Sequence, residues 1–235
     1  MPKNLLLAST STLHGEPYLG YLLDEIALLF KDADQVVFVP YARPRGTPHE
    51  TYTRRVRAAF QKMGIKTKGI HEFAGPVEAI QSAQGIFTGG GNTFVLVKQL
   101  YTVGAMGALR EKLHHGTPYL GTSAGSNICG PTMQTTNDMP IVRPPSFKTL
   151  GLVPFNINPH YLDPDPSSSH MGETREVRIK EFHSQNTVPV IGLREGSWLR
   201  VKDGETTLKG KTTARVFKQG KPPFEVESGA VIDYF

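Results

Sequence analysis

The sequence predicts an α/β protein in which a mostly parallel sheet carries helices on both faces and is followed by a C-terminal antiparallel hairpin extension. From residue 5 to about residue 120, short apolar runs alternate with segments whose apolar residues recur at helical spacing. Runs such as 36–39 (Val-Val-Phe-Val) are apolar throughout, which is typical of parallel strands covered on both faces. After Trp198 the pattern changes to short strands around a Lys-Asp-Gly turn at 202–204, a strong hairpin signal.

The first half of the chain contains the alternating pattern. Expected strands lie at 5–8, 36–39, 65–70, 85–88 and 118–120, and expected helices at 18–30, 51–63, 77–83 and 94–113, the last with a break near Gly104. Pro40 ends the second strand because its ring removes a backbone donor, and Gly64 is typical of a helix C-terminus. Strand–helix–strand units of this kind place successive strands parallel in one sheet.

The second half is less regular. We expect a loop at 135–146, and then strands at 152–157, 188–193, 198–201, 206–208, 214–218 and 230–234, with a helix at 174–182. Neither a linker-like segment nor an internal repeat divides the chain. The expectation is therefore a single α/β domain over residues 1–235.

Composition limits the class of protein. The chain has 235 residues, of which 38% are hydrophobic, enough for one large core. One cysteine excludes a disulfide framework or a Cys-rich zinc site and favours a reducing, cytoplasmic location. The apolar run at 5–8 is too short for a signal peptide or a membrane span. The net charge of +5 is spread along the chain, so we expect neither nucleic acid nor membrane as a partner.

A nucleophile elbow is the sharpest local motif. Residues 121–125 (Gly-Thr-Ser-Ala-Gly) follow an apolar strand and precede an apolar stretch that can open a helix. Small flanking residues let such a chain turn sharply and expose Ser123 Oγ, and the Ala124 N–H then faces a developing oxyanion. The alternative is a glycine-rich turn without chemistry, but the strand–turn–helix context favours the nucleophile.

A serine nucleophile needs a base and a group that orients this base. Among eight histidines, His160 directly follows an apolar strand, and sites of open parallel sheets gather at that edge. From the residues alone, His160 is equally compatible with a structural histidine. Two carboxylates could orient it: Glu195, which follows the strand at 188–193, and Asp138, in the loop after the elbow. Each of the two carboxylates could equally have a structural role, as a turn residue or as the partner in a salt bridge.

Glycines 89–91 also lie between a strand and a helix, where backbone N–H groups can approach a ligand. Phe94 stands where a dinucleotide fingerprint requires its last glycine, so that reading is weak. We expect Gly90 and Gly91 to supply a second donor to the oxyanion hole. No set of side chains has the spacing of a metal site, and we expect no metal and no cofactor.

Six blocks follow one another along the chain: 89–94 (Gly-Gly-Gly-Asn-Thr-Phe), 121–125, 135–142 (Thr-Thr-Asn-Asp-Met-Pro-Ile-Val), 158–160 (Asn-Pro-His), 172–176 (Gly-Glu-Thr-Arg-Glu) and 192–196 (Gly-Leu-Arg-Glu-Gly). Together they resemble the peptidase E family of serine peptidases, the α-aspartyl dipeptidases, over nearly the whole chain. The resemblance implies a fold related to class I glutamine amidotransferases, in which the elbow nucleophile is a cysteine and not a serine.

The resemblance also implies roles for individual residues. Ser123 matches the nucleophile, His160 the base and Glu195 the orienting carboxylate, a role that is sometimes assigned to the residue matching Asp138. Asn92 and Arg175 match positions that bind the aspartyl side chain of the substrate. Two residues depart from the family pattern: Thr122 replaces an aromatic residue before the nucleophile, and Arg194 replaces a proline before the glutamate. These departures put the exact substrate preference in question.

The resemblance implies a serine exopeptidase that hydrolyses dipeptides with an N-terminal aspartate (Asp-X) through a Ser-His-carboxylate triad and an acyl-enzyme. The expected partner is a small acidic dipeptide, and the expected state is a monomer or a small homo-oligomer. Two alternatives stay open at this point. One is a cyanophycinase-like hydrolase of an aspartyl-arginine polymer, and the other is a non-catalytic binding module on the same fold.

Overall fold

The computed structural model describes residues 3–44, 48–165, 167, 169 and 172–233. Its strands are β1 (Asn4–Ala8), β2 (Gln35–Val39), β3 (Lys66–Gly69), β4 (Gly85–Thr88), β5 (Tyr119–Thr122), β6 (Asn156–Pro159), β7 (Val190–Leu193), β8 (Ser197–Lys202), β9 (Glu205–Gly210), β10 (Ala214–Phe217) and β11 (Phe224–Val226). Its helices are α1 (Leu23–Leu29), α2 (His49–Gln61), α3 (Pro76–Ser82), α4 (Thr93–Thr102), α5 (Ala105–His114), α6 (Ala124–Asn127) and α7 (Arg175–His183).

The main sheet has seven strands in the order β3-β2-β4-β5-β1-β8-β9. The five strands from β3 to β1 are parallel. The continuous apolar runs of β1 and β2 predict this, whereas the edge strand β3 has the polar sequence Lys-Thr-Lys-Gly. The hairpin β8–β9 then adds to β1 in antiparallel fashion and extends the sheet at that edge. Both the parallel sheet and the C-terminal antiparallel hairpin are therefore confirmed.

Helices cover both faces of the main sheet. Leu6 and Ala8 of β1 belong to the same buried cluster as residues of α1 and α2, whereas Leu5 and Leu7 belong to the cluster that includes α3, α4 and α5. The expected break near Gly104 separates α4 from α5, because this glycine adopts φ 69°. None of the helices within the described ranges is long and apolar enough to cross a membrane.

A second sheet was not expected. Its order is β11-β10-β7-β6, with β6 and β7 parallel and the other two pairs antiparallel. Residues of α7 pack on it through a small cluster that includes Ile179, Val190 and Phe217. The apolar run of β7 resembles those of the main sheet, whereas β6 has the sequence Asn-Ile-Asn-Pro. Because β7 pairs with β6 on one side and with β10 on the other, these strands form a separate sheet. Its parallel pair carries the segments that lead to His160 and Glu195.

Several element bounds differ from the expectations. The helix expected at 18–30 is shorter, because a 3₁₀ turn at Gly20–Leu22 precedes α1. Leu152 and Val153 are buried as expected, but their N–H groups donate to the Cys129 carbonyl, so that strand begins only at β6. The strand expected at 230–234 is reduced to an isolated bridge at Val231, and its last residue lies outside the described ranges. The sequence reading missed β11.

Candidate active site

Ser123 lies in a sharp turn between β5 and α6. Its φ of 53° and ψ of −112° are unusual for a residue with a side chain, as a nucleophile elbow requires. The two motif glycines make this turn possible. A Cβ on Gly121 would lie 2.6 Å from the Gly125 carbonyl oxygen, and a Cβ on Gly125 would collide with the Thr88 carbonyl. The local sequence therefore permits a close packing that a larger residue at either position would prevent.

A chain of hydrogen bonds joins Ser123, His160 and Glu195. His160 Nε2 lies 2.9 Å from Ser123 Oγ, and His160 Nδ1 lies 2.6 Å from Glu195 Oε1. Because the carboxylate is only an acceptor, the Nδ1–H donates to it, which leaves Nε2 to accept the serine O–H. This is the tautomer that a general base needs. The His160 side chain is 39% exposed and that of Glu195 52%, so the site is open to a substrate from solvent.

Ser9 connects the strands that carry this chain of groups. Its fully buried hydroxyl accepts a hydrogen bond from the His160 N–H at 2.8 Å and donates one to the Leu193 carbonyl at 2.7 Å. His160 has φ 53°, a strained value that its neighbours must maintain. The sequence reading missed Ser9, although its place directly after the first apolar strand, at the same sheet edge, was an available signal.

Three backbone N–H groups in the loop after β4 and at the start of α6 have no partner among the described residues. Within the described ranges, no group accepts a hydrogen bond from the N–H of Gly90, Gly91 or Ala124. A Cβ on Gly90 would lie 2.9 Å from Ser123 Cβ, which places this backbone directly beside the nucleophile. Gly91 has φ 147° and no room for a Cβ against the Ala42 carbonyl. These are the donors from which an oxyanion hole can be built.

Asp138 lies at the N-terminus of α4 and bonds to threonines. Its Oδ2 accepts hydrogen bonds from Thr93 N at 2.7 Å, from Thr93 Oγ1 at 2.6 Å and from Thr136 Oγ1 at 2.9 Å. Asn92 caps the same helix through Oδ1 and donates from Nδ2 to the Met139 carbonyl at 2.9 Å. Of the two candidate carboxylates, it is therefore Glu195 that contacts His160, while Asp138 joins the 135–139 loop to α4.

Arg175 is a half-buried cation at the start of α7. It lines a cleft of about 340 Å³ together with the segment after His160. Burial and the neighbouring Arg178 lower the pKa of Arg175, while the charge of Asp138 acts in the opposite direction. Among the described residues, no carboxylate forms an ion pair with its guanidinium. Arg175 therefore presents unpaired charge near the Asp138–Asn92 region.

The two departures from the family pattern have different surroundings. Thr122 is fully buried at the end of β5. Arg194 pairs bidentately with Asp163 and also with Glu225, and these hydrogen bonds raise its pKa above the ordinary arginine value. Two carboxylates therefore neutralise the charge of Arg194. Its contacts join the segment after His160 to β11.

One group of side chains in the described ranges could approach a metal. Single ligand atoms of Glu50, His71 and Glu72 lie within 4.8 Å of one another. Arg57 already pairs with both carboxylates, at 3.5 Å and 2.8 Å. A cation in this place would compete with that guanidinium, so the group gives no support for a metal site. The expectation of no cofactor stays a prediction.

Comparisons with known proteins agree on one family. The profile of Peptidase family S51 matches residues 5–209. A peptidase E of Streptomyces coelicolor is 51% identical over 97% of this chain and 92% of its own length. A probable alpha-aspartyl dipeptidase of Drosophila melanogaster is 48% identical over 92% of this chain and 90% of its own.

Two solved structures share the fold. A peptidase from an acI-B1 Actinobacterium superposes with a TM-score of 0.72 at 18% identity, over 100% of this chain and 98% of its own. A putative peptidase E of Listeria monocytogenes gives 0.64 at 22% identity, over 90% and 100%. At these identities the superpositions show the fold alone, whereas the sequence relatives show the family.

Proposed function

The chain belongs to peptidase family S51, and from this premise we propose that it is an α-aspartyl dipeptidase that hydrolyses Asp-X dipeptides through Ser123. The observation that carries the proposal is the hydrogen-bonded chain from Ser123 through His160 to Glu195, with distances of 2.9 and 2.6 Å. Nucleophile, base and orienting carboxylate already stand within the reach that general-base catalysis requires.

The proposed reaction follows the order of these contacts. Ser123 Oγ attacks the carbonyl carbon of the N-terminal aspartate while His160 Nε2 takes its proton. The N–H groups of Gly90, Gly91 and Ala124 stabilise the resulting oxyanion, each by about 3 kcal/mol. His160 then gives the proton to the leaving amine, and a water molecule, deprotonated by the same nitrogen, releases aspartate from the acyl-enzyme.

Substrate selection is assigned to the side of the site near α4. Arg175, which has no carboxylate partner among the described residues, can form a bidentate pair with the aspartyl side chain, and Asn92 adds a polar group at the loop that carries Gly91. We assign Asp138 to holding this region and Glu195 to orienting the base, because only the latter contacts His160. One methylene group separates Asp from Glu, and a fitted pocket discriminates it by about 1–3 kcal/mol.

A dipeptide panel tests the proposal. Wild-type protein and Ser123→Ala are incubated with Asp-Leu, Glu-Leu and Ala-Leu, and the free amino acids are quantified. The proposal predicts rapid cleavage of Asp-Leu, slower cleavage of the other two, and loss of activity in the variant. Equal turnover of all three peptides, or cleavage of Asp-Leu that survives the loss of Ser123 Oγ, contradicts it.

The alternatives have their own readouts. A cyanophycinase-like enzyme releases fragments from a β-Asp-Arg polymer, and a binding module retains Asp-Leu without cleaving it. The remaining parts of the proposal are a single domain, a cytoplasmic location, and a monomeric or small homo-oligomeric state. The one cysteine, Cys129, is free and buried, in keeping with a reducing compartment. Cell fractionation and light scattering measure location and mass.

A further inference from the structure

Two guanidinium groups stack on tyrosine rings near the nucleophile loop. The Arg43 guanidinium carbon lies 4.4 Å from the centroid of the Tyr52 ring, and that of Arg55 lies 4.5 Å from the centroid of the Tyr18 ring. In the part of the chain that the structure describes, no carboxylate forms an ion pair with either arginine. Arg43 is also half-buried, whereas Arg55 is exposed. A partly desolvated cation without a counter-charge is a binding site for an anion.

Short contacts connect Arg43 to the loop that faces the nucleophile. The Tyr52 hydroxyl, beneath the guanidinium, donates to the Gly90 carbonyl at 3.3 Å, and Gly90 packs against Ser123. The residue before Arg43 also contacts this loop, because the Ala42 carbonyl accepts the Asn92 N–H at 2.6 Å. Arg43 therefore lies in the segment that follows β2, and its neighbours Ala42 and Tyr52 contact the loop beside Ser123.

The Arg43 guanidinium lies over Tyr52, on the α2 side of the main sheet, although Tyr41 and Ala42 before it pack on the face that α4 covers. Tyr52 packs in the cluster formed with α1 and α2, whereas Asn92 caps α4, which covers the other face. A dipeptide whose aspartyl side chain binds near Asn92 and Arg175, and whose scissile carbonyl lies at Ser123, extends its leaving residue away from α4. The α2 side, where Arg43 lies, is the side left for that residue.

We propose that Arg43 binds the free α-carboxylate of the leaving residue, an inference that rests on the proposed dipeptidase function. The ligand is the C-terminal carboxylate of the dipeptide, and Arg55 adds positive charge nearby. Stacking on Tyr52 holds the guanidinium plane in place before the substrate arrives, which lowers the entropic cost of a bidentate pair. Because a longer peptide carries its carboxylate farther from the scissile bond, Arg43 also selects for dipeptides.

The experiment compares a carboxylate with its neutral isostere. The kcat/KM values of Asp-Leu and Asp-Leu-amide are measured for wild-type protein, for Arg43→Gln and for Arg54→Gln. Arg54 is the matched control, because it is an exposed arginine on α2, the helix that supplies Tyr52. We expect wild-type protein and the control to prefer the free acid by about 10- to 100-fold, the contribution of a charge-assisted pair. In Arg43→Gln we expect the ratio of the kcat/KM for Asp-Leu to that for Asp-Leu-amide to fall to near one, because only the activity on Asp-Leu is lost.

The amide substrate reports on folding within the same experiment. Unchanged hydrolysis of Asp-Leu-amide by Arg43→Gln shows that the site is intact. Three results overturn the inference: a wild-type ratio of acid to amide kcat/KM near one, a ratio that is unchanged in Arg43→Gln, or an equal loss of activity on both substrates. In each of these cases the proposed function still stands if cleavage of Asp-Leu depends on Ser123. If wild-type protein cleaves neither peptide, the proposed function fails and the inference fails with it.

Discussion

Replacing Ser9 with alanine removes the one hydroxyl group that joins the backbones of His160 and Leu193. The hydroxyl of the fully buried Ser9 accepts a hydrogen bond from the His160 N–H at 2.8 Å and donates one to the Leu193 carbonyl at 2.7 Å. The substitution leaves the His160 N–H without this acceptor, whereas the Leu193 carbonyl still accepts the Tyr161 N–H at 3.1 Å. One such unsatisfied buried group costs about 1–3 kcal/mol, so we expect the free energy of unfolding to fall by about 1–3 kcal/mol.

The same change affects catalysis, because the bond holds His160 at its strained φ of 53°. Without it, the backbone relaxes and the imidazole moves relative to Ser123 Oγ. A displacement on the order of 1 Å costs about 100-fold in rate. The loss is expected in kcat with little change in KM, because Ser9 contacts the base and not the groups assigned to substrate binding.

Steady-state hydrolysis of Asp-Leu, together with urea unfolding, measures both effects. Thr149→Ala is the control, because the buried Thr149 hydroxyl donates to the Gly130 carbonyl at 2.7 Å and makes no contact with His160. The control is expected to lose stability and to keep its kcat. If Ser9→Ala keeps a wild-type kcat under conditions in which it is fully folded, the positioning role of Ser9 is refuted.

The remaining predictions concern three carboxylates. Glu195→Gln is expected to lower kcat by about 10³- to 10⁴-fold, because the amide no longer selects the correct tautomer of His160. Asp138→Asn is expected to raise KM more than it lowers kcat. The opposite pattern would assign the orienting role to Asp138. Burial alone raises the pKa of Glu225, but hydrogen bonds from Arg194 and its neighbours outweigh this and lower the pKa from 4.5 to about 2. The stabilisation is therefore complete above pH 4.5 and lost as the pH falls toward 2. Because solvent screens this one-third-exposed group, we expect Glu225→Gln to lower the free energy of unfolding in urea by about 1–2 kcal/mol at pH 7 and by nothing near pH 2. An equal loss at both pH values contradicts this prediction.

The parallel part of the main sheet could be predicted because strands such as β1 and β2 contain continuous apolar runs and alternate with helices. The second sheet could not. The apolar run of β7 has the same local character as that of β4, and the strand that it joins depends on long-range pairing. In the structure, β7 pairs with β10, and β8 occupies the edge of β1. A local pattern predicts that a strand exists but does not determine its neighbours.

The candidate site shows the same limit. Ser123 and His160 could be singled out because a strand ends directly before each of them. That the two strands, β5 and β6, belong to different sheets could not be predicted. The third group could not be chosen, because Glu195 and Asp138 both lie in loops compatible with the role. Only the hydrogen bonds in the structure distinguish the two carboxylates. Glu195 lies 2.6 Å from His160, whereas Asp138 accepts hydrogen bonds from threonines. Ser9 was missed because a serine after a strand has many ordinary explanations.

Covalent trapping of the nucleophile tests the central claim most directly. Wild-type protein is incubated with an aspartyl phosphonate, which phosphonylates an activated serine, and the adduct is located by peptide mass spectrometry. The account predicts one adduct, on Ser123, whose formation is prevented by Ser123→Ala and slowed strongly by His160→Ala. An adduct on another residue, or unmodified Ser123 in a preparation that the reagent has inactivated, would contradict it.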